Sequence, residues 1–229
     1  MRECIIIILF LSLQSSICLA QEATSNSIQG IWINQRYAKL LETSFSPKAA
    51  FSVSEFSSIH IDHNRIVLFP SYHETIEYMI ESYSKKSGKF LLKNCELIDS
   101  MNINSGKLTI SFHDRDQMIQ SSFFKLPAKF KTENEFFNSL FLVGKYKDKE
   151  NRIYIFENDT VDWNGSRKKY KVFFDYVEFF PMSTLCIIDN AGRCTTGYGF
   201  VTNGSMLQLY EYDNDYKTIK KLSLDLLKE

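Results

Sequence analysis

The sequence predicts an all-β protein. An antiparallel meander should form two related barrel-like or sandwich-like units, with a short two-helix insertion in the first and a connecting helix between them. Three observations carry this expectation. The chain holds 19 Phe and 12 Tyr against 4 Pro in 229 residues, and aromatic and β-branched side chains suit a pleated, half-buried surface. Turn residues recur at short intervals between alternating runs. The chain also resembles itself in three blocks that keep their order.

The strand signal is clearest in "KLTISFH" (107–113), which puts Leu108, Ile110 and Phe112 on one face. "RIYIFEN" (152–158) sets Ile153 and Ile155 against Tyr154 and Phe156. Turn clusters stand at 62–64, 86–88, 104–106, 164–165, 190–192 and 203–204, each built from Asn, Asp, Ser, Gly or a neighbour of one. Such spacing points to consecutive hairpins. "KKYKVFFDYVEFF" (168–180) reads as one long aromatic strand with Phe173, Phe174, Tyr176, Phe179 and Phe180 on both faces.

Two stretches break the strand pattern. "RYAKLLETSFSPKAAF" (36–51) spaces Tyr37, Leu40 and Leu41 as a helix does. Within it, Ser46 is a cap residue and Pro47 fits a first helical position, so two short helices are expected. "KTENEFFNSLF" (131–141) pairs Thr132 with Glu135 as a capping box ahead of Phe136, Phe137, Leu140 and Phe141.

The repeat ties these elements together. Residues 104–116 lie over 203–215 with a shift of 99, matching Leu108 with Leu207 and Ile110 with Leu209. Residues 58–69 lie over 152–163 with a shift of 94, and "GIWIN" (30–34) lies over "GKYKD" (144–148) with a shift of 114. The fall from 114 to 94 leaves 20 extra residues in copy one, and those residues are the two-helix segment. The expected organisation is a signal segment at 1–20, a β unit at 21–128 with a helical insertion at 36–56, and a connecting helix plus second β unit at 129–229.

The first twenty residues have the layout of a secretory signal: Arg2, an apolar run over 5–13, and a small-x-small ending at Cys18-Leu19-Ala20. A lipoprotein reading centred on Cys18 is weaker, because Ile17 stands where a small residue is expected. The apolar run is too short to span a bilayer, which needs about 20 apolar residues, and no later stretch is long enough. The expected location is therefore outside the cytoplasm: periplasmic, cell-surface or extracellular. Three cysteines follow the signal, Cys95, Cys186 and Cys194. Cys186 and Cys194 flank "IIDNAGR", which reads as a tight hairpin turning at Asp189 to Gly192. That places both sulfurs on one face of neighbouring strands, in a diagonal relation. A disulfide fits there, and so do two small buried apolar side chains.

The 27 basic and 27 acidic residues cancel, so charge offers no case for nucleic acid or an anionic membrane. The run Arg167-Lys168-Lys169 reads as a solvated hairpin end. His60, His63, His73 and His113 do not converge as metal ligands by spacing, since a strand holds His60 and His63 apart. Asp114/Asp116 and Asp213/Asp215 recur at the ends of matching strands, which suits hairpin turns better than calcium loops. No nucleophile elbow, phosphate loop or glycine fingerprint is present. No cofactor, metal site or catalytic residue is expected, and the protein is read as a non-enzyme. Glu211 takes the place of Phe112 in the repeat. Burial of the Met206, Tyr210 and Tyr212 face of its strand is preferred, which leaves Glu211 outside.

Gly30-Ile31-Trp32 opens the first unit, and helices then precede the meander. In these residues the chain resembles the lipocalin-like (calycin-type) secreted β-barrels. The resemblance is specific over the opening segment and topological beyond it. It implies a Trp that closes the barrel base, a two-helix lid over Tyr37 to Phe51, and a cavity for an apolar small molecule. Ligand-binding candidates are Trp32, Tyr37, Leu40, Leu41 and Phe51. The units are shorter than a ligand-holding barrel of that family, and a small eight-stranded barrel can be filled by its own side chains. Two functions are therefore carried forward. One is an exported binding protein for a small apolar or amphipathic ligand. The other is an envelope or surface interaction protein that binds a protein or glycan through exposed aromatic strands.

Overall fold

The computed structural model describes residues 28–51, 56–70, 75–114, 116–174, 181–213 and 218–229. Residues 1–20, expected to be a signal segment, lie outside the described residues, as do His73, Tyr176, Phe179, Phe180 and Asp215. Two closed antiparallel barrels of eight strands each account for nearly all of the rest.

Barrel one runs through β1 (Gly30–Asn34), β2 (Phe56–Asp62), β3 (Arg65–Pro70), β4 (Ile76–Ser84), β5 (Lys89–Leu92), β6 (Ser100–Asn104), β7 (Lys107–Asp114) and β8 (Gln117–Lys125), and β8 pairs back with β1. Barrel two runs through β9 (Gly144–Lys147), β10 (Ile153–Phe156), β11 (Thr160–Trp163), β12 (Ser166–Val172), β13 (Thr184–Ile188), β14 (Cys194–Thr202), β15 (Met206–Tyr212) and β16 (Ile219–Lys228), and β16 pairs back with β9. Each strand hydrogen-bonds the next in sequence, so both are simple meanders, and closure leaves no free sheet edge. All six expected turn clusters fall between paired strands.

The three repeat blocks fall on strands of equal rank. β1 matches β9, β2 matches β10 and β7 matches β15. One register differs from expectation. Ile59 stands opposite Trp32 and Tyr154 stands opposite Tyr146. Residue 59 therefore corresponds to 154, a shift of 95 rather than 94. β10 is apolar on both faces: Tyr154 and Phe156 point inward, while Ile155 is exposed. A one-residue slip exchanges the faces of a strand, and such a strand gives the alternation no grip.

The matched opening strands share more than rank. Trp32 Nε1 donates to the Ile28 carbonyl at 3.0 Å, and Tyr146 Oη donates to the Leu142 carbonyl at 2.8 Å. Both bonds reach back four residues from corresponding positions. Lys125 from β8 lies against Gly30, and Lys228 from β16 lies against Gly144. Lys228 Nζ also sits 5.7 Å from the Tyr146 ring centre. Gly30 has φ +119°, a conformation that costs any other residue.

The long β1–β2 connection contains α1 (Gln35–Ser44) and α2 (Pro47–Phe51). Asn34 caps α1 by accepting from the Arg36 and Tyr37 N–H groups. Phe45 ends it in the left-handed conformation. Ser46 accepts from Ala49 N–H at the start of α2. The connecting helix, α3 (Glu133–Phe141), is capped by Thr132. Glu135 reaches back to the Lys131 N–H, one residue before the cap.

Two hydrophobic cores result. The first is the interior of barrel one, with Trp32, Ile59, Ile66, Leu68, Leu108, Ile110, Phe112 and Phe123 all buried. The second joins the interior of barrel two to α1, α3 and the outward-facing Ile33 of β1. Tyr37 meets Phe137 edge-on at 5.1 Å, Phe137 meets Phe174 at 5.3 Å, and Phe141 stacks on Phe200 at 5.8 Å. Ser46 and Ser183 hydroxyls lie 3.0 Å apart, and Phe45 covers Gly204. The insertion of unit one thus seals an end of barrel two.

Two further expectations are corrected. The aromatic stretch 168–180 is not one strand: β12 ends at Val172, and Phe174 turns into the helical seal. In β15 the buried face is that of Leu207 and Leu209; of the expected face, Met206 and Tyr210 are only half-buried, and Tyr212 alone is buried, beyond a shift of register. Glu211 shares the inward face but sits at its end. There it is half-exposed and bonded by the Ser223 hydroxyl and Lys221. A carboxylate needs no burial at a barrel rim, so an inward register costs it little.

Candidate functional site

Barrel two has its hairpin turns at 148–152, 164–165 and 189–193 on the end away from α1 and α3. Two of those hairpins are tightly fixed. The β11–β12 turn places Asn164 at φ +53° and Gly165 at φ +85°, the two positive φ angles that a tight hairpin needs. Asp162 reinforces it by accepting from the Gly165 N–H. At the β13–β14 turn the Asp189 carboxylate accepts from the Ala191 and Arg193 N–H groups and from Arg193 Nε. The Arg193 backbone bond, then its side chain, holds that carboxyl below the usual range. The Cys186–Cys194 disulfide ties β13 to β14, with Cα atoms 5.7 Å apart. Cys194 pairs with Ile188, and Cys186 pairs with Gly197, so the link is diagonal. Cys95 is left as a free thiol.

Between these hairpins lies an open cleft of about 530 Å³. Its aromatic wall is Trp163, which stacks on Tyr198 at 5.6 Å and 26° and meets Tyr154 edge-on at 5.5 Å. Lys168 Nζ sits 5.8 Å from the Trp163 ring centre. Arg167 and Lys169 extend the basic side, and Asn190, Thr195 and Thr196 supply polar groups opposite. Arg167 is paired with Glu157. No described carboxylate pairs with Lys168 or Lys169. Burial, helped by the nearby Glu211 charge, raises the Tyr198 hydroxyl, so it stays a donor at neutral pH. Beside the cleft, Asp148 holds Arg152 at 2.6 Å and accepts from the Tyr154 hydroxyl at 3.2 Å.

The residues expected to bind a ligand go elsewhere. Trp32 is buried in barrel one. Tyr37 and Leu41 are buried in the second core, and Leu40 packs on it from the side. These three come together as a plug against α3. Phe51 ends α2 half-buried. An open groove of about 480 Å³ does run beside the insertion, between Phe45, Ala49, Met182 and Phe200 among others. Of the five expected residues, none lines it.

Trp163 and Tyr198 are not among the residues expected to bind, and the lysines beside them belong to the run read as a solvated hairpin end. The signal was partly visible: Trp163 stands just before the Asn164-Gly165 turn, and the basic run stands just after it. What it lacked was the β13–β14 wall. Among the described residues no group of three His, Cys, Asp or Glu side chains converges on a metal position. His60 lies 3.3 Å from Glu133, and His113 lies 2.7 Å from Asp99. No described helix is long and apolar enough to cross a membrane. The chain matches no family model, no curated protein and no solved structure against which it was compared.

Proposed function

We propose that this protein is an exported, non-enzymatic interaction protein of lipocalin-like build, acting at the cell envelope or surface. It meets a protein or glycan partner on the far end of barrel two. One observation carries this reading. Both barrels are packed with their own side chains, while the open cleft lies at the mouth of barrel two, between two hairpins, and mixes aromatic and basic groups. The interior aromatics of barrel two, Tyr146, Phe156 and Tyr170, touch one another at 5.5–5.6 Å. Eight strands enclose little more than the volume such side chains occupy. The lipocalin-like build is supported by the Gly-x-aromatic opening of each unit and the eight-strand meander that follows it.

A second reading, a carrier of a small apolar or amphipathic molecule, is favoured by the groove beside Phe45 and Met182. Native mass spectrometry of the chain purified from its own source separates the two, alongside retention of envelope glycan and protein fractions on the immobilised chain. Retention with no copurifying small molecule supports the interaction reading. A bound apolar molecule, with no retention, overturns it in favour of the carrier.

A further inference from the structure

We propose that the cleft between the β11–β12 and β13–β14 hairpins binds an acidic oligosaccharide, one whose sugar rings carry carboxylates. The inference rests on the interaction reading above and names its ligand class and site.

Three features of the cleft specify that chemistry together. First, Trp163 and Tyr198 form a stacked, half-buried pair that leaves apolar ring surface in the cleft. The negative face of an aromatic ring suits the polarised C–H groups on one side of a pyranose. Second, Lys168 lies over the Trp163 ring and Lys169 follows it along β12 at the cleft's edge, and neither is neutralised by a described carboxylate. A sugar seated on Trp163 would therefore hold its carboxylate within reach of an ammonium group. Third, the facing wall offers the Asn190 amide, the Thr196 hydroxyl and, as an acceptor because it already donates to the Ile187 carbonyl, the Thr195 hydroxyl, groups of the kind that bond sugar hydroxyls.

The form of the site argues for a chain rather than a free small molecule. The cleft is open along the hairpin edges, and its walls are fixed by a disulfide, two tight turns and the Asp189 bonds. A rigid, open trough meets an extended ligand with little rearrangement of its own. The charge is local. The chain as a whole is neutral, and Arg167 is already engaged by Glu157. Two uncommitted cations are too few to hold a nucleic acid backbone, whose binding grows with the number of phosphates neutralised.

The test is titration of the purified chain with tetrasaccharides of galacturonate, of alginate and of chondroitin. Galacturonate methyl ester and an eight-residue oligothymidylate serve as controls. The chain has two tryptophans, and Trp32 is buried in barrel one, so a change in indole emission reports Trp163. At least one acidic tetrasaccharide should bind with an emission change. The methyl ester should bind about tenfold more weakly, because it keeps the rings and loses the charge. Lys168→Gln and Lys169→Gln lie on exposed positions and leave the core intact, and each should weaken binding roughly three- to tenfold. Trp163→Ala, which lacks the reporting indole and is titrated by calorimetry instead, should abolish binding, with melting curves showing that the barrel persists.

Binding by none of the three acidic tetrasaccharides overturns the proposal. So does equal binding of acid and ester, oligothymidylate binding as tight as the sugars, or affinity untouched by both lysine changes. If the sugars fail while envelope fractions are still retained, only this inference falls. If both fail, the interaction reading falls with it.

Discussion

Barrel one and barrel two are built on one plan and finished differently. Their opening strands carry the same Gly-x-aromatic anchor, the same bond four residues back and the same overlying lysine from the last strand. Their second strands lead away from different connections. In unit one it holds α1 and α2, while in unit two it is a short turn at 148–152 closed by the Asp148 carboxylate. The helices packed against barrel two leave its opposite end, with the Trp163 cleft, to the surface. The interiors differ as well: barrel one is filled mainly by Ile and Leu, whereas barrel two adds Tyr146, Tyr154, Phe156, Tyr170 and Phe200 to its Val, Ile and Leu. Two units of one plan thus share their closure and differ in a connection, and the insertion of one is a structural part of the other.

The sharpest way to break that comparison is to damage the seal. Phe137 is buried against Tyr37, Phe136 and Phe174. Phe137→Ala removes a large ring from a packed site, a change that costs about 3–5 kcal/mol. Fluorotryptophan NMR gives one signal per barrel, from Trp32 and Trp163. The Trp163 signal should lose its native position at much lower denaturant than in the parent, with the Trp32 signal moving less. Loss of both together would mean that the two barrels unfold as one unit.

The disulfide comes next. Cys186→Ser with Cys194→Ser opens a link across eight residues of sequence, and a loop of that size is worth about 2–3 kcal/mol. The loss should appear on the Trp163 signal alone, because Cys186 and Cys194 both belong to barrel two. An equal loss on the Trp32 signal would contradict the independence of the two cores.

How much of this was legible in the sequence depends on what decided each feature. Alternation over a half-polar strand such as β7 declared both strand and face, and Asn-Gly or Ser-Gly pairs declared the turns. The insertion was legible because copy two lacks it. Where both faces were apolar, as at Ile153 to Phe156, alternation could not choose the inward face, and only the pairing with β9 does so. Glu211 misled because a carboxylate in the place that Phe112 takes in unit one argues against an inward face, yet a barrel end is wet. The ligand candidates Tyr37, Leu40 and Leu41 were correctly apolar and helical. Their neighbours Phe136, Phe137 and Phe141 come from a helix about a hundred residues away, and no local pattern joins them. The cleft was out of reach for the same reason: Trp163 and Tyr198 meet across hairpins that sequence alone cannot orient.

The matched anchors allow a smaller and more specific comparison. Tyr146→Phe keeps the ring, the burial and the contact with Lys228 while deleting the hydroxyl that bonds the Leu142 carbonyl. An acceptor left unpaired in a buried place costs about 1–3 kcal/mol. Burial pushes the Tyr146 hydroxyl up to about 12, so the bond should persist through the alkaline range in which ordinary tyrosines ionise. Trp32→Phe should cost more, since it removes the corresponding bond and leaves a void as well. Urea unfolding of the two variants checks the order; a neutral Tyr146→Phe would mean that the shared bond is not a working part of closure.

The smallest effect is a pH dependence at the junction. Glu133, at the start of α3, faces His60 on the outside of β2 at 3.3 Å. Burial alone would raise its carboxyl, but the imidazole beside it outweighs that and holds it below the ordinary value of 4.5. The folded state therefore releases this proton more readily than the unfolded chain does. The stability it contributes is fully present above pH 4.5 and is lost as pH falls through the lower folded value. Glu133→Gln removes this dependence. The parent and the variant should converge in stability as pH drops from 5 toward 3, from a difference of about 0.5–1 kcal/mol, the scale of a partly exposed pair. Because the pair ties the connecting helix to barrel one, the change should be read on the Trp32 signal first. A difference that grows on acidification would reverse the sign and place the stabilising charge elsewhere.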